Sequence, residues 1–95
     1  MNPTRKEKYY WGLLCSEVGC IVCRTYHGNI NTYCLPHHID GRTKKGCHMN
    51  VIPLCSEHHD RHQKEGIHFM SRKVWEEKYG KQEDLKAICD KLLEI

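Results

Sequence analysis

The chain has little from which to build a core. Hydrophobic residues fill 39% of its 95 positions, aromatics 8%, and phenylalanine occurs once. A chain this short buries only about 60–65% of its unfolded surface, so residues 1–95 make one small domain with no room for a second. No apolar run approaches the roughly 18–20 residues that cross a bilayer, which excludes a membrane-spanning helix. Met1 to Lys8 is polar and leads into no apolar stretch long enough for a secretory leader, so a cytoplasmic protein is expected. Repeats, linkers and low-complexity tracts are absent as well. Neither charge sign dominates: 15 basic against 12 acidic residues leave +3 with histidine neutral. That balance permits a polyanionic partner without requiring one.

What the chain does have is seven cysteines and eight histidines. An odd cysteine count leaves a thiol over in any disulfide framework, and a reducing compartment argues against one altogether. Metal is the staple that a thin core of this kind calls for. Two knuckles stand out, Cys20-x-x-Cys23 and Cys55-x-x-His58, separated by residues 24–54. Their four side chains are what a closed tetrahedral structural zinc needs. The competing reading makes some of these cysteines small buried hydrophobes. Cys15 and Cys34 are the nearest substitutes for a misassigned ligand, while Cys47 and Cys89 read as structural.

The elements expected around these residues form an α+β domain. Thr4-x-x-Glu7 is a capping box for a helix over about Arg5–Leu14, with Tyr9, Tyr10, Leu13 and Leu14 on its apolar side. Gly28-Asn29 marks a turn. Short strands are expected near 34–39 and 49–54, joined by a basic loop carrying Arg42, Lys44 and Lys45, with a helix from Glu57 to about Lys64 after them. Ser71 and Gly80 bracket a helix over Arg72–Tyr79, and Val74, Trp75 and Tyr79 supply its apolar stripe. Leu85, Ile88, Cys89 and Leu92 follow the i, i+3, i+4, i+7 spacing of an amphipathic last helix.

The remaining histidines cluster: His37-His38 on the first strand, His58-His59 and His62 after the second, then His68. Adjacent strand residues point to opposite faces, so His37 and His38 take different roles unless the strand bends. One can face a metal while the other faces a substrate atom beside it.

His37-His38-Ile39, then Asn50-Val51-Ile52-Pro53-Leu54-Cys55, then His58-His59, resembles the motif of the HNH (ββα-metal) nucleases, in a variant with an accessory zinc knuckle. Gly66-Ile67-His68 and Trp75-Glu76-x-x-Tyr79-Gly80 make the chain similar to the phage-type recombination-enhancement, RecA-dependent nuclease family, over about residues 18–90. The resemblance implies a treble-clef-like ββα-metal core (residues 18–68) between an N-terminal helix (1–17) and C-terminal helices (69–95). It also implies that His37 and His59 are metal ligands, that His38 is the general base, and that Asn50 braces the loop or holds His38. For the third ligand, Gln63 would be a poor donor. His62 shares a helical face with His59 at i+3, and His68 matches the Gly-Ile-His segment, which favours His68.

The implied activity is metal-dependent hydrolysis of DNA phosphodiester bonds in recombination or phage DNA processing. A neutral imidazole with a pKa of about 6.5 suits base duty at neutral pH. One divalent ion with three protein ligands keeps positions open for phosphate and water. Magnesium is expected there, with manganese or zinc as alternatives, and zinc is expected at the Cys20, Cys23, Cys55, His58 set. Arg42, Lys44, Lys45 and Arg61, with Lys64, Arg72 and Lys73 beyond them, are candidate phosphate contacts; a solvated surface explains any one of them equally well. A recombinase filament is a partner that the resemblance suggests, and either a monomer or a homodimer is expected. The competing function is a zinc-stabilised nucleic-acid-binding module without catalysis, which gives no reason for the extra histidines. A treble-clef protein-interaction domain is a third reading.

Overall fold

Thr4 starts the first helix as the sequence predicts. Its hydroxyl accepts from the Glu7 N–H at 3.1 Å, and the Glu7 carboxylate accepts from the Thr4 N–H at 2.7 Å. The computed structural model describes residues 2–94; Met1 and Ile95, the two ends of the expected domain, lie outside them. Helix α1 covers Arg5–Leu13 and runs on into a π-helical turn, Leu14–Val18. The wider turn drives Leu14 and Val18 fully into the core, whereas Tyr9, expected on the apolar side, is exposed. Gly19 then turns the chain at φ +72°, where a β-carbon would lie 2.9 Å from the Asn31 carbonyl oxygen. The turn leads into Cys20–Cys23 and a second π-helical turn, Cys23–His27, which ends on Gly28 in the left-handed conformation.

Strand β1 is Cys34–His38 and β2 is Val51–Cys55. They pair antiparallel, with His37 opposite Ile52 and His38 opposite Val51. Every residue of β2 is buried, since α1's π-turn, α4 (Gln82–Leu92) and the zinc-type knuckle all pack around it. The strand reads accordingly as a continuous apolar run.

The helix expected over Glu57–Lys64 stops early. Helix α2 spans only Ser56–His59, and Asp60 is extended at φ −77°, ψ 147°. Its carboxylate accepts from the Ser56 hydroxyl at 2.8 Å and lies 3.2 Å from His59 Nδ1, a local alternative to continuing the helix. The chain then loops and returns, so that Ile67 N–H donates to His58 O at 2.9 Å and His68 N–H to His59 O at 3.2 Å.

Helix α3 occupies Arg72–Tyr79, with the Ser71 hydroxyl capping Val74 N–H at 3.3 Å and Gly80 turning at φ +100°. Trp75 and Tyr79 are buried; Val74 is exposed. On α4, Leu85 and Cys89 face the core, while Ile88 and Leu92, expected on the same stripe, are exposed. The Cα radius of gyration, 12.4 Å, is that of a compact chain of this length, for which about 12 Å is expected. The architecture is therefore α+β: a two-stranded sheet wrapped by helices. Among the described residues no helix is long and apolar enough to cross a membrane.

Candidate functional site

Two clusters of ligand-type side chains lie on opposite sides of the same short element. Helix α2 directs His58 inward and His59 outward, because consecutive helical residues are rotated about 100° apart.

The inward cluster is Cys20, Cys23, Cys55 and His58, all buried, with ligand atoms within 4.8 Å of one another. His58 Nδ1 lies 3.1 Å from Cys55 Sγ and 3.7 Å from both Cys20 Sγ and Cys23 Sγ; the Cys23 and Cys55 sulfurs are 3.8 Å apart. A tetrahedral zinc with bonds of about 2.3 Å to sulfur and 2.0 Å to nitrogen sets S···S near ~3.8 Å and S···N near ~3.5 Å. The donor set and its spacing thus fit a structural zinc. Burial pushes the Cys20 thiol up to about 12 when only protein surrounds it, ahead of the neighbouring cysteines' effects. Only a cation in their midst makes four such groups comfortable together as ligands. The His58 ring is braced by Tyr79 edge-on at 5.5 Å and stacked with His27 at 5.6 Å. Cys15 and Cys34 stand apart from the cluster, the Cys15 thiol donating instead to the Cys34 carbonyl at 3.4 Å.

The outward cluster is His37, His59 and His68, again with ligand nitrogens within 4.8 Å of one another. They come from three segments: β1, α2 and the returning loop. The ring centroids are 5.2 Å apart for His37–His59 and His37–His68, and 4.6 Å for His59–His68. His62 is not in this group. The face it was to share with His59 does not exist, because α2 ends at His59. Burial, then the neighbouring His59 and His68, pull the His37 pKa down to about 4. His68 is also lowered, first by burial. Uncharged imidazoles keep a free lone pair at neutral pH, which is the form a metal ligand needs.

His38 lines the same groove as His37 but meets different rings, Trp11 and His48 where His37 meets His59 and His68. The Nε2 of His38 lies 2.9 Å from Nδ1 of His48, which is 2% exposed. Trp11 meets both rings edge-on at 5.6 Å, and its indole N–H donates to the His48 carbonyl at 2.6 Å. Burial lowers the His38 pKa, with Arg42 and then His48 adding to the shift. Asn50 is engaged elsewhere: its amide donates to Asp40 Oδ2 at 3.1 Å, and its carbonyl accepts from Ile39 N–H at 3.1 Å. Asn50 thus braces the loop between the strands, and His48 and Trp11 are the residues that meet the His38 ring.

A groove of about 350 Å³ runs over this side of the sheet, lined by Leu35, Pro36, His37, His38, Gly41, Arg42, His59 and His68. Arg42 is the basic residue inside it. Lys44 and Lys45 are exposed on the same loop, and Arg61 lines a neighbouring depression with His59, His62 and His68. Arg72 forms ion pairs with Asp40, Glu76 and Glu83.

These features define a small α+β domain equipped to hold metal. The chain belongs to the recombination enhancement, RecA-dependent nuclease family, whose sequence model matches residues 3–94. The match takes in α1 as well as the C-terminal helices, more than the motifs between 18 and 90 alone suggested. A nuclease is an enzyme acting on nucleic acid, and the family description ties it to recombination.

Proposed function

We propose that the chain is an HNH-type (ββα-metal) endonuclease that hydrolyses DNA phosphodiester bonds. The observation that supports this reading best is the meeting of His37, His59 and His68 from three separate segments, beside His38 in one groove. The order of residues 34–59, two strands and then a short helix, supports reading them as a ββα-metal core. The three imidazoles suit a single divalent ion, magnesium or manganese, with zinc as the alternative. Such an ion, once bound, supplies Lewis acidity to the scissile phosphate and the leaving oxygen.

The protein's own groups do the rest. The Nε2 of His38 is held by His48, so Nδ1 is the nitrogen left to take a proton from an attacking water. For that, Nε2 carries the ring hydrogen and donates to His48 Nδ1, which fixes the tautomer. The lowered pKa of His38 keeps it unprotonated, and so able to act as base, at neutral pH. Arg42 contacts the phosphate backbone within the groove, and Lys44, Lys45 and Arg61 extend that contact outward. A zinc at Cys20, Cys23, Cys55 and His58 holds α2 in place, and with it His59. A recombinase filament is a further proposed partner, a reading that the words of the family description support, and adding such a filament to the assay below tests it.

The direct test is nicking of supercoiled plasmid with added magnesium or manganese, comparing the natural chain with His38→Ala. Removing a general base costs roughly 10²–10⁴-fold in rate. The variant is expected to lose cleavage by that factor while keeping its fold and its zinc. Natural-level cleavage by His38→Ala would remove His38 from the reaction. A non-catalytic zinc module would show no metal-dependent nicking in either protein.

A further inference from the structure

His59 does not stand alone at the end of α2. Its Nδ1 lies 3.2 Å from Oδ1 of Asp60, the residue at which the helix stops. Asp60 is itself held at two points. Its Oδ2 accepts from the Ser56 hydroxyl at 2.8 Å, and its backbone N–H donates to the Ser56 carbonyl at 2.9 Å. Ending the helix thus occupies one carboxylate oxygen, and the other lies against the histidine. The His59 backbone is fixed as well, since its carbonyl accepts from His68 N–H at 3.2 Å.

An ionised carboxylate only accepts hydrogen bonds, so in this contact Nδ1 carries the ring hydrogen and donates. A neutral imidazole has a single ring hydrogen, which leaves Nε2 as the nitrogen with a free lone pair. Nε2 is then the atom that His59 offers to the cluster with His37 and His68, whose ligand nitrogens lie within 4.8 Å of one another. The side chains of His59 and Asp60 are 24% and 35% exposed, so water and salt screen the pair only in part.

We infer that Asp60 is the positioning residue for His59: its carboxylate accepts the Nδ1 hydrogen, fixes the tautomer and the ring angle, and sets a negative charge behind the nitrogen that faces the ion. The inference rests on the proposed divalent-ion site at His37, His59 and His68. Partners of this kind orient metal-binding imidazoles generally, and their loss weakens metal affinity about 10–100-fold.

Two measurements on the zinc-loaded full chain test it. The first uses no added ion: proton–nitrogen NMR correlation, at a pH where the imidazoles are neutral, reads which His59 nitrogen carries the hydrogen. Nδ1–H is expected in the natural chain, with a shift towards Nε2–H in Asp60→Ala. An Nε2–H ring in the natural chain, or an unchanged Nδ1–H population in Asp60→Ala, overturns the role of Asp60 whatever the ion site does. The second is a manganese titration, with free manganese followed by electron paramagnetic resonance. Asp60→Ala is expected to bind about 10–100-fold more weakly at unchanged zinc content. Asp60→Asn keeps an oxygen that can accept from Ser56 and from Nδ1 but gives up the charge, and is expected to bind between the two. His59→Ala is the control for the site itself and is expected to abolish binding. If the natural chain and His59→Ala bind manganese equally, or neither binds it, the ion site is wrong and the inference falls with it. If His59→Ala loses binding while Asp60→Ala keeps natural affinity, the site stands and the role of Asp60 is overturned. Asp60→Ala also removes the bond to Ser56, a loss that Ser56→Ala carries alone. Ser56→Ala is expected to bind within a few-fold of the natural chain; binding as weak as that of Asp60→Ala would make Asp60 a helix stop only and overturn the inference.

Discussion

A methyl group on Gly66 would lie 2.0 Å from the carbonyl oxygen of Asp60 and 3.0 Å from that of Gln63. Both contacts are with backbone, so neither can yield by a side-chain rotation. The close approach is what lets the loop after α2 double back and set His68 beside His59. Gly66→Ala is therefore expected to cost about 1–3 kcal/mol, as overpacking does. It should also weaken metal binding at the histidine cluster, because His68 rides on the displaced segment. Urea unfolding checks the first effect and a manganese titration the second; an alanine variant unchanged in both would show that the loop is not held by this contact. The sequence pointed to His68 only through family resemblance, since spacing along a helix argued for His62. The physical signal was Gly66 after a Ser56–Asp60 pair that ends the helix, and neither has a periodicity to read. His48 was hidden for a similar reason: its link to His38 spans the loop between the strands. By contrast, the zinc knuckles were plain, because both ligands of each pair sit within one turn of chain.

At the scale of elements, boundaries set by local chemistry were legible and those set by tertiary contacts were not. The capping box at Thr4 and the Ser71–Gly80 bracket fix α1 and α3 from within their own few residues. The π-helical turns at Leu14–Val18 and Cys23–His27 answer instead to the packing of Leu14, Val18 and Cys23 into the core, which no local pattern encodes. Helix α4 separates the two influences within one stripe. Leu85 is 2% exposed and Ile88 41%, although the apolar spacing treats them alike. Leu85→Ala should thus cost about 2–5 kcal/mol, from lost burial and the cavity left behind. Ile88→Ala should cost about 0.5 kcal/mol or less, with the better helix propensity of alanine offsetting part of the loss. Midpoints of urea unfolding at equal slope measure the difference. Equal costs at the two positions would mean that α4 is rotated relative to β2 from the arrangement described above.

For the whole molecule, the decisive bond network is the one that the apolar residues cannot supply. The Cys20–Cys23 segment and the β2–α2 corner are far apart in sequence and meet at the four-ligand cluster. A zinc held there would contribute folding free energy, which in small zinc domains amounts to roughly 10–16 kcal/mol at neutral pH. Cys20→Ser should abolish stoichiometric zinc binding and cooperative thermal unfolding together, and a strong chelator should do the same to the natural chain. The pH dependence has a definite sign. The ligands must be deprotonated to bind, and burial holds the metal-free Cys20 thiol near 12, so protons compete with zinc throughout the neutral range. Stability of the zinc-loaded chain should then fall as pH falls and protons displace the metal, with the melting temperature and zinc content dropping in step. A chain that keeps its melting temperature after Cys20→Ser, or loses zinc on acidification without losing stability, would place the stabilising free energy in the apolar core after all.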